Sequence, residues 1–80
     1  MKSLDDLRAR LDVLDRDLLR LVAERQAIGR EIDAVKRATG QSTRDFARER
    51  EVLLRARREA ETLGVSPTLA ESILQALIRG

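Results

Sequence analysis

The sequence of 80 residues contains no cysteine and no histidine, and Phe46 is its only aromatic residue. These absences exclude disulfides, thiolate chemistry, zinc sites built from cysteine and histidine, and acid–base catalysis by histidine. Because no disulfide framework is needed, a cytoplasmic location is the default prediction. No apolar run is long enough to span a membrane, and Met1 to Ser3 lead directly into a charged segment, so neither a membrane protein nor a signal peptide is expected.

An excess of charge of one sign is also missing. The chain has 16 Lys and Arg residues against 14 Asp and Glu residues, a net charge of +2. Basic and acidic residues are interleaved, as at Arg8, Arg10 and Asp12, which is typical of a solvated helix face. Since the chain also lacks aromatic residues that could stack on bases, and has no evident recognition helix, binding to nucleic acid is not expected.

A long apolar repeat begins at Leu4. Aliphatic residues recur at spacings of three and four, which predicts an amphipathic helix over about residues 4–38. We call the following set the apolar stripe: Leu4, Leu7, Leu11, Leu14, Leu18, Leu21, Ile28, Ile32 and Val35. Arg25 lies where the repeat requires another aliphatic residue. A guanidinium buried there without a partner is costly, so Arg25 needs a carboxylate, a phosphate or water beside it.

The length of this helix predicts an oligomer. A helix of about 35 residues is roughly 52 Å long, whereas a compact chain of this size has a radius of gyration of only ~12 Å. The rest of the chain is too short to cover the apolar stripe, so we predict an intertwined homodimer. An extended two-stranded coiled coil is the alternative, and it is disfavoured because two more amphipathic helices follow and need the same stripe.

The remaining residues predict two shorter helices, over about 44–63 and 67–79. Residues 1–80 are therefore expected to form one all-α domain with a long, a medium and a short helix that build a helical bundle in the dimer. Ser42 and Asp45 have the spacing of a capping box at the start of the second helix. The other predicted caps are two serines at helix starts and two left-handed glycines at helix ends: Ser3, Ser66, Gly40 and Gly64.

Charged residues lie at positions that the helical pattern reserves for apolar ones. Glu49 lies on the apolar face of the second helix, and Gly29 and Lys36 share one face of the first helix with Arg25. Gly29 costs roughly 1 kcal/mol relative to Ala in mid-helix. It either permits close helix packing or leaves room for a ligand between Arg25 and Lys36. Similarly, Arg25 and Glu49 either form a simple buried ion pair or line a binding site.

Arg8 lies near the other end of the first helix, about 25 Å from Arg25. The two arginines therefore cannot meet at one small ligand within a chain, but they can do so between antiparallel chains of a dimer. A pocket lined by these arginines, Lys36 and Glu49 suits a small dianion that carries a hydroxyl group, because arginine holds carboxylates in bidentate geometry.

Short motifs in a fixed order span nearly the whole chain. They are Leu7-Arg8, Leu14-Asp15, Leu18-Leu19, Ala23-Glu24-Arg25, Ile32, Val35-Lys36, Arg48-Glu49-Arg50 and Leu53-Leu54. Together they resemble the all-helical chorismate mutases. The stretch from Arg58 to Pro67 is most similar to mutase domains that precede a prephenate dehydrogenase.

The resemblance implies an intertwined homodimer that converts chorismate, a dicarboxylate, to prephenate in aromatic amino-acid biosynthesis, with no metal or cofactor. Arg25 and Arg8 of the partner subunit would hold the two carboxylates, Lys36 would reach the ether oxygen, and Glu49 would accept the ring hydroxyl. The substrate-binding set implied in this way is Arg8, Arg25, Lys36, Asp45, Arg48 and Glu49.

Related mutases usually carry a Ser and a Gln on the last turns of the third helix. Both would fall just past Gly80, so the resemblance implies reduced activity for this chain.

Other functions are compatible with the same pattern. A mutase-like regulatory module and an isochorismate pyruvate lyase are alternatives within the fold. A plain oligomerisation module is an alternative of another class, and it predicts that Arg25, Lys36 and Glu49 can be replaced by Leu or Ala without loss of function.

Overall fold

The computed structural model describes residues 2–80, and in that range it is all-helical, without strands. The helices are α1 (Leu4–Ala38), α2 (Phe46–Leu63) and α3 (Pro67–Arg79). The all-α class and the order of a long, a medium and a short helix are thus confirmed. The chain divides into two compact units, of which the first ends at Ile32 and the second is Asp33–Gly80. None of the helices described is long and apolar enough to cross a membrane.

Both ends of α1 follow from local sequence signals. At the start, the Ser3 hydroxyl accepts a hydrogen bond from the Asp6 N–H at 3.1 Å, and the Ser3 N–H donates to the Asp6 carboxylate at 3.4 Å. At the end, Gly40 adopts a left-handed conformation with φ 74°. The Gln41 N–H then donates to the Lys36 carbonyl at 2.8 Å, which satisfies one of the last carbonyls of the helix. Both predicted caps are confirmed.

The start of α2 differs from the prediction. Its N-cap is Asp45, whose side chain accepts a hydrogen bond from the Arg48 N–H, so the helix begins at Phe46 rather than at about residue 44. The Ser42 hydroxyl donates to the Arg44 carbonyl at 3.0 Å and accepts from the Arg44 N–H at 3.2 Å. The predicted capping box of Ser42 with Asp45 is wrong, because a turn ahead of the helix already uses the Ser42 hydroxyl.

The second unit is built around the packing of α2 against α3. Gly64 ends α2 in a left-handed conformation, and the Ser66 side chain caps α3 by accepting from the Leu69 N–H, both as predicted. Ala60 is 2% exposed and is the buried residue of α2. Arg57 Nη1 on α2 donates to Glu71 Oε2 on α3 at 2.8 Å. Apolar packing that buries Ala60 and the ion pair of Arg57 with Glu71 therefore join the two helices.

The first unit contains no core of its own. It comprises most of α1, and no residue of that helix is fully buried. In this unit the large aliphatic residues of the apolar stripe, from Leu4 to Ile32, are 44% to 61% exposed. A contiguous exposed apolar stripe on a helix is the expected signature of a surface that packs against another molecule.

Candidate active site

The two arginines predicted to bind one ligand lie far apart on the helix of the first unit. Arg8 is exposed near the start of α1, and Arg25 is half-buried further along it. At 1.5 Å per residue the two positions are about 25 Å apart. A single chain therefore does not bring Arg8 and Arg25 together.

Neither of these arginines has an acidic partner in its own unit. In residues 2–32 the ion pairs are those of Arg20 with Asp17 at 3.8 Å and with Glu24 at 3.4 Å. Both are exposed pairs between neighbouring turns of the helix, which contribute little to stability. The positive charges of Arg8 and Arg25 are therefore left available for an external anion.

The surroundings of Gly29 are open within the chain. A Cβ built on Gly29 would meet no heavy atom within 4 Å. Close packing within the chain consequently does not explain why glycine stands in mid-helix, where it costs roughly 1 kcal/mol. Open space beside Gly29 is compatible with both predicted roles, packing against a partner helix and binding of a ligand one turn from Arg25.

Lys36 lies in the last turn of α1, within the second unit, and is half-buried. The partial negative charge at the C-terminus of a helix favours a cation at this position. Among residues 33–80, the ion pairs join other residues: Arg44 with Glu49, Arg48 and Arg55 with Glu51, and Arg57 with Glu71. The Lys36 ammonium therefore has no carboxylate partner among residues 33–80.

The first turn of α2 brings together the other three predicted site residues. Asp45 Oδ1 accepts from the Arg48 N–H at 3.0 Å, and the Asp45 carbonyl accepts from the Glu49 N–H at 3.0 Å. The Arg48 guanidinium donates to Glu51 Oε1 at 2.8 Å. In this arrangement Asp45 supports the helix start with one carboxylate oxygen, while Arg48 is paired along the helix surface.

Glu49 has a partner that the sequence did not predict. Arg44 Nε donates to Glu49 Oε2 at 2.9 Å, and Arg44 Nη2 donates to Glu49 Oε1 at 3.1 Å. The Glu49 side chain is 23% exposed and the Arg44 side chain 62%. Arg44 precedes the N-cap of α2, so its pair with Glu49 joins a turn residue to a helix residue. The two residues are five apart, which is not one of the spacings at which side chains meet along a helix. The only sequence signal for this pair was the basic residue next to the helix start.

Comparison with known proteins gives one family for this arrangement. The family model described as chorismate mutase type II matches residues 7–80. The chain is 41% identical over 81 residues to the T-protein of Haemophilus influenzae, covering 99% of this chain and 21% of that protein. It is 38% identical over 77 residues to the T-protein of Enterobacter agglomerans, covering 96% and 21% respectively. No significantly similar solved structure was found.

Proposed function

The chain belongs to the chorismate mutase type II family, and we propose that it catalyses the rearrangement of chorismate to prephenate in aromatic amino-acid biosynthesis. The family match includes every residue of the predicted site, from Arg8 to Glu49. The chain spans about a fifth of the length of the T-proteins that it matches. The proposal therefore concerns this segment alone, and a cytoplasmic location stays a prediction.

One observation supports this function more than the others. Arg25, Lys36 and Arg57 are the half-buried cations among residues 2–80. Arg57 is paired with Glu71, whereas Arg25 and Lys36 have no acidic partner in their own units. Shielding a cation from water without an anion is unfavourable, so these two positions favour a negatively charged ligand. Chorismate supplies a carboxylate for Arg25 and, for Lys36, an ether oxygen on which negative charge develops.

The reaction suits a site of this composition. The rearrangement breaks a carbon–oxygen bond and forms a carbon–carbon bond within one molecule, without a nucleophile or a proton relay. The protein has to hold a compact conformer and to stabilise negative charge on the ether oxygen. Arg25, with Arg8 of the partner subunit, performs the first task by binding both carboxylates. Lys36 performs the second as a preorganised cation.

The homodimer is part of the proposal, and the apolar stripe supports it. Burial of a leucine or isoleucine side chain contributes about 1.5–3 kcal/mol, so covering the exposed half of the eight stripe residues from Leu4 to Ile32 contributes on the order of 6–12 kcal/mol. That is enough to drive association of two chains. An antiparallel partner helix also places Arg8 of one chain beside Arg25 of the other, which a monomer cannot do.

We expect Leu18→Glu to disrupt the dimer and Leu19→Glu to leave it intact. Both residues lie in the same turn of α1, and they are 54% and 68% exposed in the chain. Only Leu18 belongs to the apolar stripe, so only its replacement puts a charge into the interface. Dimer affinity should fall about 100-fold or more for Leu18→Glu.

Sedimentation at low micromolar concentration, together with thermal unfolding over a range of concentrations, measures this effect. The unfolding midpoint of the wild type should rise with protein concentration. Equal effects of the two substitutions, or a helical monomer in the wild type, would contradict the proposed dimer.

Substitutions at Gly29 are expected to separate stability from activity. Gly29→Ala should raise the free energy of unfolding by about 0.5–1 kcal/mol, because Ala favours the helix and its methyl group meets nothing in the chain. Gly29→Leu should retain the helix but fill the space beside Arg25, and so abolish activity. Ala27→Leu, on the opposite face of α1, is the matched control.

Urea unfolding and chorismate turnover of the three Gly29 and Ala27 variants provide the comparison. Gly29→Ala could instead weaken the dimer while chorismate is still turned over. That result would mean that Gly29 allows packing against the partner helix and does not make room for the substrate.

The function itself is tested with the purified chain and chorismate. We expect the absorbance of chorismate to fall at a rate proportional to protein concentration, with prephenate as product. A parallel reaction with isochorismate, analysed for pyruvate, tests the lyase activity. A folded dimer that depletes neither compound would refute the proposal and favour an oligomerisation or regulatory module.

A further inference from the structure

The Glu49 carboxylate is held by a fork of two hydrogen bonds from Arg44. The bonds join Nε to Oε2 at 2.9 Å and Nη2 to Oε1 at 3.1 Å. A bidentate pair fixes the plane of the carboxylate as well as its position, which one hydrogen bond cannot do. Rotation of the Glu49 side chain is therefore restrained by a residue that lies outside α2.

Arg44 is itself held from two directions. Its backbone N–H and carbonyl both bond to the Ser42 hydroxyl, at 3.2 Å and 3.0 Å. Its guanidinium carbon lies 4.6 Å from the centroid of the Phe46 ring, within the range of a cation–π interaction. The hydrogen bonds to Glu49, and then its charge, raise the pKa of Arg44. The turn before α2 thus presents a fixed cation to Glu49.

The fork leaves Glu49 able to bind a second group. An ionised carboxylate has about four lone-pair sites, and a bidentate arginine uses two of them. One site on each oxygen can still accept a hydrogen bond from a hydroxyl group. Arg44 consequently orients Glu49 without blocking it.

We propose that Arg44 is a positioning residue, which orients the Glu49 carboxylate to accept a hydrogen bond from the ring hydroxyl of the substrate. The inference rests on the proposed mutase function and on the role of Glu49 in it. It assigns a purpose to the turn Ser42–Phe46, including the single aromatic residue of the chain, which lies largely exposed against the Arg44 guanidinium.

The ion pair of Arg44 with Glu49 is not expected to be important for folding. Arg44 is mostly exposed, and exposed ion pairs contribute little to folding. Arg44→Gln should therefore fold and dimerise like the wild type. Arg55→Gln is the matched control, since Arg55 donates to Glu51 at 2.8 Å in an exposed pair on α2, the helix that carries Glu49. Both variants lose one ion pair of α2, but only one of the pairs involves Glu49.

The test is a set of steady-state measurements with chorismate and with an analogue that lacks the ring hydroxyl. For Arg44→Gln we expect KM for chorismate to rise about tenfold while kcat changes much less, because an interaction made in both ground and transition states is weakened. With the analogue, Arg44→Gln and the wild type should behave alike. Arg44→Lys should rescue KM only in part, because lysine cannot form the fork.

A double-mutant cycle completes the test. In a Glu49→Gln background, Arg44→Gln should have no further effect on KM, because the two residues act as one unit. An equal loss with the analogue, an unchanged KM for chorismate, or additive effects in the cycle would overturn the inference while leaving the mutase function in place. A wild-type chain that does not convert chorismate would overturn both.

Discussion

Homodimers of Arg8→Ala and of Arg25→Ala are each expected to be nearly inactive, with kcat/KM lowered by about 10³-fold or more. In the proposed site, each substitution would remove a bidentate clamp from one carboxylate of the substrate. Such clamps would hold the reacting ends of one molecule together, so their loss would cost orientation as well as binding. Arg10→Ala and Arg30→Ala, on other faces of α1, are the controls, and they should retain wild-type activity.

A mixture of the two inactive variants is expected to regain activity. The two arginines are about 25 Å apart on one helix, so a site that uses both must take one from each chain. A heterodimer of Arg8→Ala with Arg25→Ala then has one intact site and one site that lacks both arginines. Random pairing after refolding makes half of the dimers mixed, which gives about a quarter of the wild-type activity.

The refolding experiment can fail in a decisive way. Heterodimer formation is verified by a mass tag on one variant, so that the activity is measured on a known population. Heterodimers that form but stay inactive would show that Arg8 and Arg25 do not share a site, and would remove the main functional reason for the intertwined arrangement.

The helices were largely predictable because their signals are local. Ser3 and Asp6 form the hydrogen bonds that their spacing predicts, and Gly40 ends α1 in the left-handed conformation. The start of α2 was misplaced because Ser42 and Asp45 are both good N-caps. Spacing alone does not determine which side chain reaches a helix N–H, since that depends on the turn that the Ser42 hydroxyl forms with Arg44.

The candidate site was predictable to the extent that it follows helical periodicity. Arg25, Gly29 and Lys36 were identified as residues of one helix face, and none of them needs a tertiary contact to be placed there. The pairing of Arg44 with Glu49 could not be predicted in the same way, because it joins a turn residue to a helix residue at a spacing of five. The proposed shared site also depends on a second chain, whose placement no single-chain pattern specifies.

Lys36→Ala is expected to lower kcat by about 100-fold or more while KM changes little, by analogy with the loss of one oxyanion donor. The Lys36 ammonium has no acidic partner in residues 33–80 and is half-buried. In the ground state the ether oxygen carries little charge, so in the proposed site Lys36 would bind it weakly. Charge builds on that oxygen as the carbon–oxygen bond breaks, and the interaction then strengthens.

Arg37→Ala is the control that separates this effect from helix stability. Lys36 and Arg37 are both cations in the last turn of α1, and both interact favourably with the helix dipole. Either substitution should cost a similar few tenths of a kcal/mol in stability. Only Lys36→Ala should lower kcat, and Lys36→Met should resemble it because the stem is kept and the charge is lost. A change confined to KM would mean that Lys36 holds the substrate but does not stabilise the transition state.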